Sequence, residues 1–210
     1  FLREEWDRFV YRSTDPRPPG QQYITLTPDS VNSVYGAKET SYAAYGEQVF
    51  EFADWDLRAG LRYDYDGFAD ESLISPRLAA NWRPEPDMRV SATAGVFYQS
   101  PRFLVRGANP ENFAIENERV THVSVGFERY FGPDWSLLVE PYYQWLDNVI
   151  VEPERTSGRV TNDGDGTNLG LDVVLSRRFE DGWFGNVVYA YNDARIDDND
   201  GFGEYDADFN

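Results

Sequence analysis

The chain has 210 residues, enough for one large domain or two small ones, and its formal net charge of −18 (pI about 4.3) makes nucleic acid and anionic lipid surfaces poor partners. Aromatic residues make up 16% of the sequence, which excludes disorder despite a mean hydropathy of −0.60. Cysteine is absent, which excludes disulfides and thiolate metal sites, and no apolar run approaches the ~20 residues of a membrane helix.

In chain order, segments near Glu4–Ser13 and Ser41–Phe52 are expected strands whose register the sequence leaves open. Asp56–Tyr65 alternates cleanly, with Leu57, Ala59, Leu61, Tyr63 and Tyr65 on one face and Arg58, Gly60, Arg62 and Asp64 on the other. Ile74–Trp82 follows with Ile74, Pro76, Leu78, Ala80 and Trp82 against Ser75, Arg77, Ala79 and Asn81. A proline is disfavoured within a strand, but Pro76 lies near the loop end, where a gap in the ladder costs least.

Val90–Tyr98, Thr121–Phe127, Trp135–Trp145, Leu169–Leu175 and Trp183–Tyr191 repeat the pattern. Their polar faces carry His122, Ser124, Glu128, Glu140 and Asp172. The reading is all-β, with about nine strands in hairpin order and no helix.

The connections differ at the two ends of these strands. Short turns beside Trp55, Trp82, Trp135 and Trp183 lie at one end, and longer polar segments (14–39, 66–73, 100–117, 147–167 and from 193 onward) lie at the other. Tryptophans at a short-turn rim, with apolar faces that end in Tyr or Trp, fit the girdle of an antiparallel up-and-down transmembrane β-barrel. Trp145 falls toward the opposite rim. A soluble β-sandwich, one that binds glycans through its aromatics, is the alternative; its connections are short at both ends.

Several stretches resemble the barrel of TonB-dependent outer-membrane receptors. They are Tyr45-Gly-Glu-Gln48, Leu57-Arg-Ala-Gly-Leu-Arg-Tyr-Asp64, Ser75-Pro-Arg-Leu-Ala-Ala-Asn-Trp-Arg-Pro84, Gly95-Val-Phe-Tyr-Gln-Ser-Pro101, Glu116-Asn-Glu-Arg119, Tyr142-Tyr-Gln-Trp-Leu-Asp-Asn-Val-Ile150, Gly170-Leu-Asp-Val-Val174 and Val188-Tyr-Ala-Tyr-Asn-Asp-Ala194. Each motif is weak, whereas the ordered series over nearly the whole chain is specific. The resemblance implies a plugged barrel in the bacterial outer membrane that imports a scarce ligand, such as an iron–siderophore complex, cobalamin or a glycan, with energy delivered through TonB. It implies no enzyme and no cofactor. Residues 1–210 are expected to form part of the barrel only, without the plug domain, a TonB-binding segment or a closing C-terminal strand, because about nine strands are too few for a plugged transporter.

Candidate functional residues follow. Arg58, Arg62, Asp64, Arg77, Glu128, Glu140 and Asp172 are expected to face the lumen, where the resemblance implies contact with a plug. Tyr98, Arg102, Phe103 and Arg106 are candidate ligand contacts, since arginine and aromatic groups suit anionic chelates. His122 and Ser124 share a strand face, a spacing similar to the catalytic pair of outer-membrane phospholipases, so a small barrel hydrolase is an alternative function. The acid-rich segments Asn162–Gly166 and Asp197–Glu204 suggest calcium, but neither fits an EF-hand loop and both are read as solvated turns.

Overall fold

The computed structural model describes residues 2–9, 30–37, 40–152, 159–180, 182–199 and 203–207. Two strands, β1 (Leu2–Phe9) and β2 (Ser30–Ala37), pair antiparallel as a sheet of their own. The remaining strands are β3 (Tyr42–Glu51), β4 (Trp55–Asp66), β5 (Glu71–Glu85), β6 (Met88–Gln99), β7 (Glu118–Phe131), β8 (Trp135–Val151), β9 (Thr161–Glu180), β10 (Trp183–Asp197) and β11 (Tyr205–Asp206). They form one nine-stranded antiparallel sheet in which every strand pairs with its neighbour in sequence, β3 through β11. This is the up-and-down topology expected of a barrel wall, left unclosed.

The register turns the period-two alternation into two continuous faces. Directly opposed residues share a face, and the pairs Phe50–Leu57, Leu57–Ala80, Ala80–Ala92, Ala92–Val125, Val139–Val173 and Val173–Tyr189 carry one apolar surface across the sheet. Nothing covers that surface among the described residues, and Leu61, Leu78, Val125 and Val187 stay more than half exposed. Among the described residues no second sheet packs on it, as a sandwich would require.

The described strands hold three prolines, each where a ladder ends or skips; Pro84 falls in the register shift between Trp82 and Glu85. The β5–β6 ladder ends at Arg77–Gly95, so Pro76 lies one residue beyond it, where its missing N–H leaves no gap. Pro141 falls where the β7–β8 ladder skips from Ser124–Tyr142 to Phe127–Val139. At Gly170 the ring of Tyr142, its cross-strand partner, lies flat over the glycine, and a Cβ there would overlap that ring. Gly170→Val is therefore expected to cost about 1–3 kcal/mol through overpacking. Denaturant unfolding of the folded barrel checks this, and Tyr142→Ala in the same chain should recover most of the loss.

Four connections (52–54, 86–87, 132–134 and 181–182) lie at one end of the sheet. Gly132 takes φ 65°, the left-handed conformation that a tight turn requires. The connections at the other end are 67–70, 100–117, 152–160 and 198–204. The asymmetry matches expectation, but the strands run further than the alternation suggested. β8 has 17 residues and β9 has 20, so most of the segment read as a loop over 147–167 is strand. A barrel strand needs only ~9–11 residues to span the membrane, so these two project past it.

Three other expectations are corrected. The segment 14–39 contains strand β2, and the region from 193 onward contains the end of β10 and all of β11. Helix is present: α1 (Phe103–Ala108) and a 3-10 turn (Pro110–Ala114) occupy the 100–117 connection, where Pro110 starts the turn and the Asn109 side chain accepts from the Glu111 amide. The strand expected over Glu4–Ser13 runs from Leu2 to Phe9, and its last four residues lie outside the described ones.

Candidate functional site

The polar face carries the residues that could meet a cargo or a neighbouring domain. On β4 and β5 it is rich in arginine. Arg62 donates from Nε (2.7 Å) and Nη2 (2.6 Å) to both oxygens of Asp64, two residues along the same strand face. Arg58 lies 3.5 Å from Glu47 of β3, an exposed pair. Arg77 has no carboxylate in ion-pair range among the described residues; its guanidinium lies over the Phe97 ring at 4.7 Å from the centroid. Arg62, Asp64 and Arg77 share a cleft of about 510 Å³ with Asp66, Tyr98 and Asn117 at its outer wall. A second hollow of about 290 Å³, lined by Glu47, Gly60, Arg62 and Arg77, continues it along the face.

Further along the sheet the polar face turns acidic. Glu140 of β8 stands directly opposite Asp172 of β9. Glu128 of β7 is held at 2.5 Å by Arg89. Of the seven residues expected on this face, Arg58, Arg62, Asp64 and Arg77 lie together on β4 and β5, Arg58 and Arg62 each beside a carboxylate, while Glu128, Glu140 and Asp172 lie on β7, β8 and β9. The expected arginines of the polar face are thus gathered on two adjacent strands, which period-two alternation alone does not reveal.

At the outer end of the sheet the 100–117 connection folds down as a cap, and a buried polar network fastens it. Asp66, the last residue of β4, accepts from the amides of Phe68 (2.8 Å) and Ala69 (3.3 Å), from Asn117 Nδ2 (3.1 Å), from Ser100 Oγ (3.4 Å) and from Arg106 Nη2 (3.2 Å). Arg106 also donates to the Phe113 carbonyl at 2.7 Å and stacks over Phe68. Asn117 donates to Glu71 at 2.9 Å, and Asn112 donates to the Val105 carbonyl at 2.8 Å. Arg106 is 1% exposed, and Asn112 and Asn117 are fully buried. The buried apolar residues lie at this end too: Leu73, Ile115, Val149 and Val151 are the core among the described residues.

Burial opposes the charge on Asp66, but the two amides, Asn117 and Arg106 outweigh it, and its pKa is held below the ordinary carboxylate value. Asp66 lies past the tyrosines that end the apolar face. A depressed folded-state pKa gives stability that is present above the unfolded value and lost as pH falls through the folded one. The cap should therefore hold at neutral pH and loosen below pH ~4. Hydrogen exchange over 100–117, measured from pH 7 down to pH 3, checks this, with faster exchange expected only at the acid end.

The four ligand candidates separate. Arg102 is exposed, and Phe103 and Tyr98 are partly so, all at the outer end. Arg106 is buried in the cap and serves its architecture. The network around Asp66 was missed by sequence reasoning; its one visible signal was the Asp66-Gly67 turn at a strand end.

His122 and Ser124 share the polar face without touching. Ser124 is buried and bonds Thr93 Oγ1 at 2.8 Å, while His122 Nδ1 pairs with Gln144 Nε2 at 3.1 Å and its ring stacks on Tyr142. A hydrolase needs the base hydrogen-bonded to the nucleophile, and here each is engaged elsewhere. Asn162–Gly166 lies in β9, not in a turn, and Asn162 bridges the Glu116 and Asn148 carbonyls. The Asn199 amide, from the second acid-rich segment, donates to the Asp165 carboxylate at 2.9 Å.

The apolar face ends in aromatic groups at both rims. At the short-turn rim Trp55 stacks on Trp82 at 5.5 Å, and Trp135 meets Trp183 edge-on at 5.8 Å. Trp55 is the first residue of β4 and faces Trp82 directly. At the outer rim Tyr42 stacks on Tyr65 at 4.8 Å, and Tyr143 meets Trp145 at 4.6 Å.

The family model described as "TonB dependent receptor-like, beta-barrel" matches residues 3–209. Among solved structures, the FrpB iron transporter from Neisseria meningitidis (F3-3 variant) is similar at 20% identity and TM-score 0.59, over 75% of this chain and 26% of that one. The apoprotein form of its F5-1 variant gives 21% identity and TM-score 0.61 over the same shares. The outer membrane transporter YddB from Escherichia coli gives 14% identity and TM-score 0.62, over 85% of this chain and 27% of that one. At these identities the likeness speaks for the fold alone, and the chain spans about a quarter of the length of each structure. No curated protein sequence matches it.

Proposed function

Because the chain belongs to the TonB-dependent receptor-like β-barrel family and lies in the bacterial outer membrane, we propose that it forms part of the wall of an active transporter energised through TonB. Its cargo in this reading is a scarce metal chelate such as an iron–siderophore complex. The observation that carries the proposal is the pairing of an uncovered apolar face, aromatic at both rims, with a polar face that holds a charged, arginine-bearing cleft under a capped outer end. A barrel wall that faces lipid on one side and a wet, charged interior on the other has this form.

The arginine-bearing strands of the polar face suit two tasks. Arg77, held by a ring and by no carboxylate among the described residues, can meet an anionic chelate or a carboxylate of a plug. Arg58, Arg62 and Asp64 extend that surface, and Glu128, Glu140 and Asp172 offer the opposite charge to basic plug residues. Tyr98, Arg102 and Phe103 are the proposed outer contacts of the ligand, with Arg106 holding the cap that presents them. The iron named for the similar Neisseria transporter lends the chelate reading some weight.

The test is uptake of labelled ferric siderophores by cells that carry the full-length protein. Uptake should require TonB, and Arg77→Glu should lower it about tenfold, the worth of one charge-assisted contact. Uptake that persists without TonB rejects energised transport. Transport of a glycan or cobalamin with no ferric chelate uptake rejects the cargo and leaves the transporter reading in place.

A further inference from the structure

We infer that Arg177, clamped between two rim tryptophans on the apolar face, binds the phosphate of a membrane phospholipid. Arg177 pairs in register with Trp135 on one side and Gly185 on the other, which places it on the apolar face near the end of β9. Its guanidinium lies 3.7 Å from the Trp183 ring centroid and 5.9 Å from that of Trp135. The two rings meet edge-on, so the cation fills the corner they form.

A second arginine on the same face and rim shows the contrast. Arg129, opposite Met88 and Leu137, is held by Glu85 at 2.7 Å and Asp87 at 3.0 Å. Arg177 has no carboxylate in ion-pair range among the described residues. Its one hydrogen bond there is a long one, 3.4 Å from Nη1 to the Trp183 carbonyl, and its Nε is shut from water without a partner. A half-buried cation on a lipid-facing rim, with no carboxylate beside it among the described residues, has its terminal N–H groups turned to the membrane interface, where a headgroup anion can meet them.

The geometry fits a phosphate diester. A ring over a guanidinium covers a flat face and leaves in-plane N–H groups for oxygen acceptors; here these are on Nη1 and Nη2, since Nε is buried. The rim tryptophans lie at headgroup level, with their apolar bodies in the acyl region. The overall charge of −18 disfavours a broad anionic lipid surface, so the site is a single-phosphate one that also accepts zwitterionic headgroups. It does not depend on the transported ligand, only on the membrane-facing orientation of the apolar surface.

The test is native mass spectrometry of the detergent-purified full-length receptor titrated with phosphatidylethanolamine. The expected result is one tightly retained lipid, bound about tenfold more weakly by Arg177→Gln, with Arg129→Gln unchanged. Arg177→Lys keeps the charge but loses the planar fork, so an intermediate loss is expected; it also serves if the glutamine variant does not fold. Retained lipid that is equal in wild type and Arg177→Lys, or lost equally in Arg129→Gln, overturns the assignment. So does wild-type receptor that retains no phospholipid.

Discussion

Leu78→Arg is expected to destabilise the folded barrel by about 2–4 kcal/mol, because it sets a charge near the middle of the lipid-facing surface. Leu78 lies mid-strand in β5, is 61% exposed, and is opposed by Ala59 and Ala94, neither of which can shield or pair a cation. Its neighbour Ala79 points to the other face, opposite Arg58 and Thr93. Ala79→Glu should therefore leave stability within about 0.5 kcal/mol of wild type, with a weak gain from the facing arginine. Unfolding of the full-length protein from lipid vesicles measures both. Equal losses at the two positions would mean that both faces meet the same medium.

Arg106→Ala is expected to release the outer cap. Removing one partner of a buried ion pair costs about 3–5 kcal/mol because the other charge is left uncompensated. Side-chain exposure is 2% for Arg106 and 6% for Asp66, so the pair falls in that class. The loss is local: the strands keep their ladders, while 100–117 loses its fastening to Asp66 and to the Phe113 carbonyl. Limited proteolysis should show new cleavage between residues 100 and 117 with the barrel core intact. Arg106→Lys should restore part of the protection, since an ammonium reaches Asp66 but cannot also hold the carbonyl and the Phe68 ring. If the cap presents Arg102 and Phe103 to the ligand, the alanine variant should also transport poorly at low ligand concentration.

Much of the sheet was legible because one physical fact repeats along it. Side chains of a strand alternate between faces, so Leu57, Leu78, Val123 and Leu171 share an apolar parity that the register keeps through the middle of the sheet, its shifts falling near the strand ends. The short-turn tryptophans could be read for the same reason, being parity residues at strand ends. Strand length was less legible. Asn162-Asp-Gly-Asp-Gly166 has the composition of a turn, yet pairing with β8 and β10 holds the stretch extended, and tertiary context overrides local preference.

The cap was illegible for a different reason. Asp66 and Asn117 meet across 51 residues of sequence, and nothing local to either marks it for burial. Arg106 illustrates the trap: a loop arginine among aromatics resembles a ligand contact, and only its burial shows that its partner is Asp66. The gathering of Arg58, Arg62 and Arg77 was hidden similarly, since it depends on which strands neighbour one another.

The most direct measurement is a single-cysteine scan along residues 74–82 of the full-length protein in intact outer membranes, read against the protein without the introduced cysteine. Labelling by a lipid-soluble reagent should peak at 74, 76, 78, 80 and 82, and labelling by a water-soluble one at 75, 77, 79 and 81. Uniform labelling by the water-soluble reagent, or the opposite parity, would contradict a barrel wall whose apolar face meets the membrane.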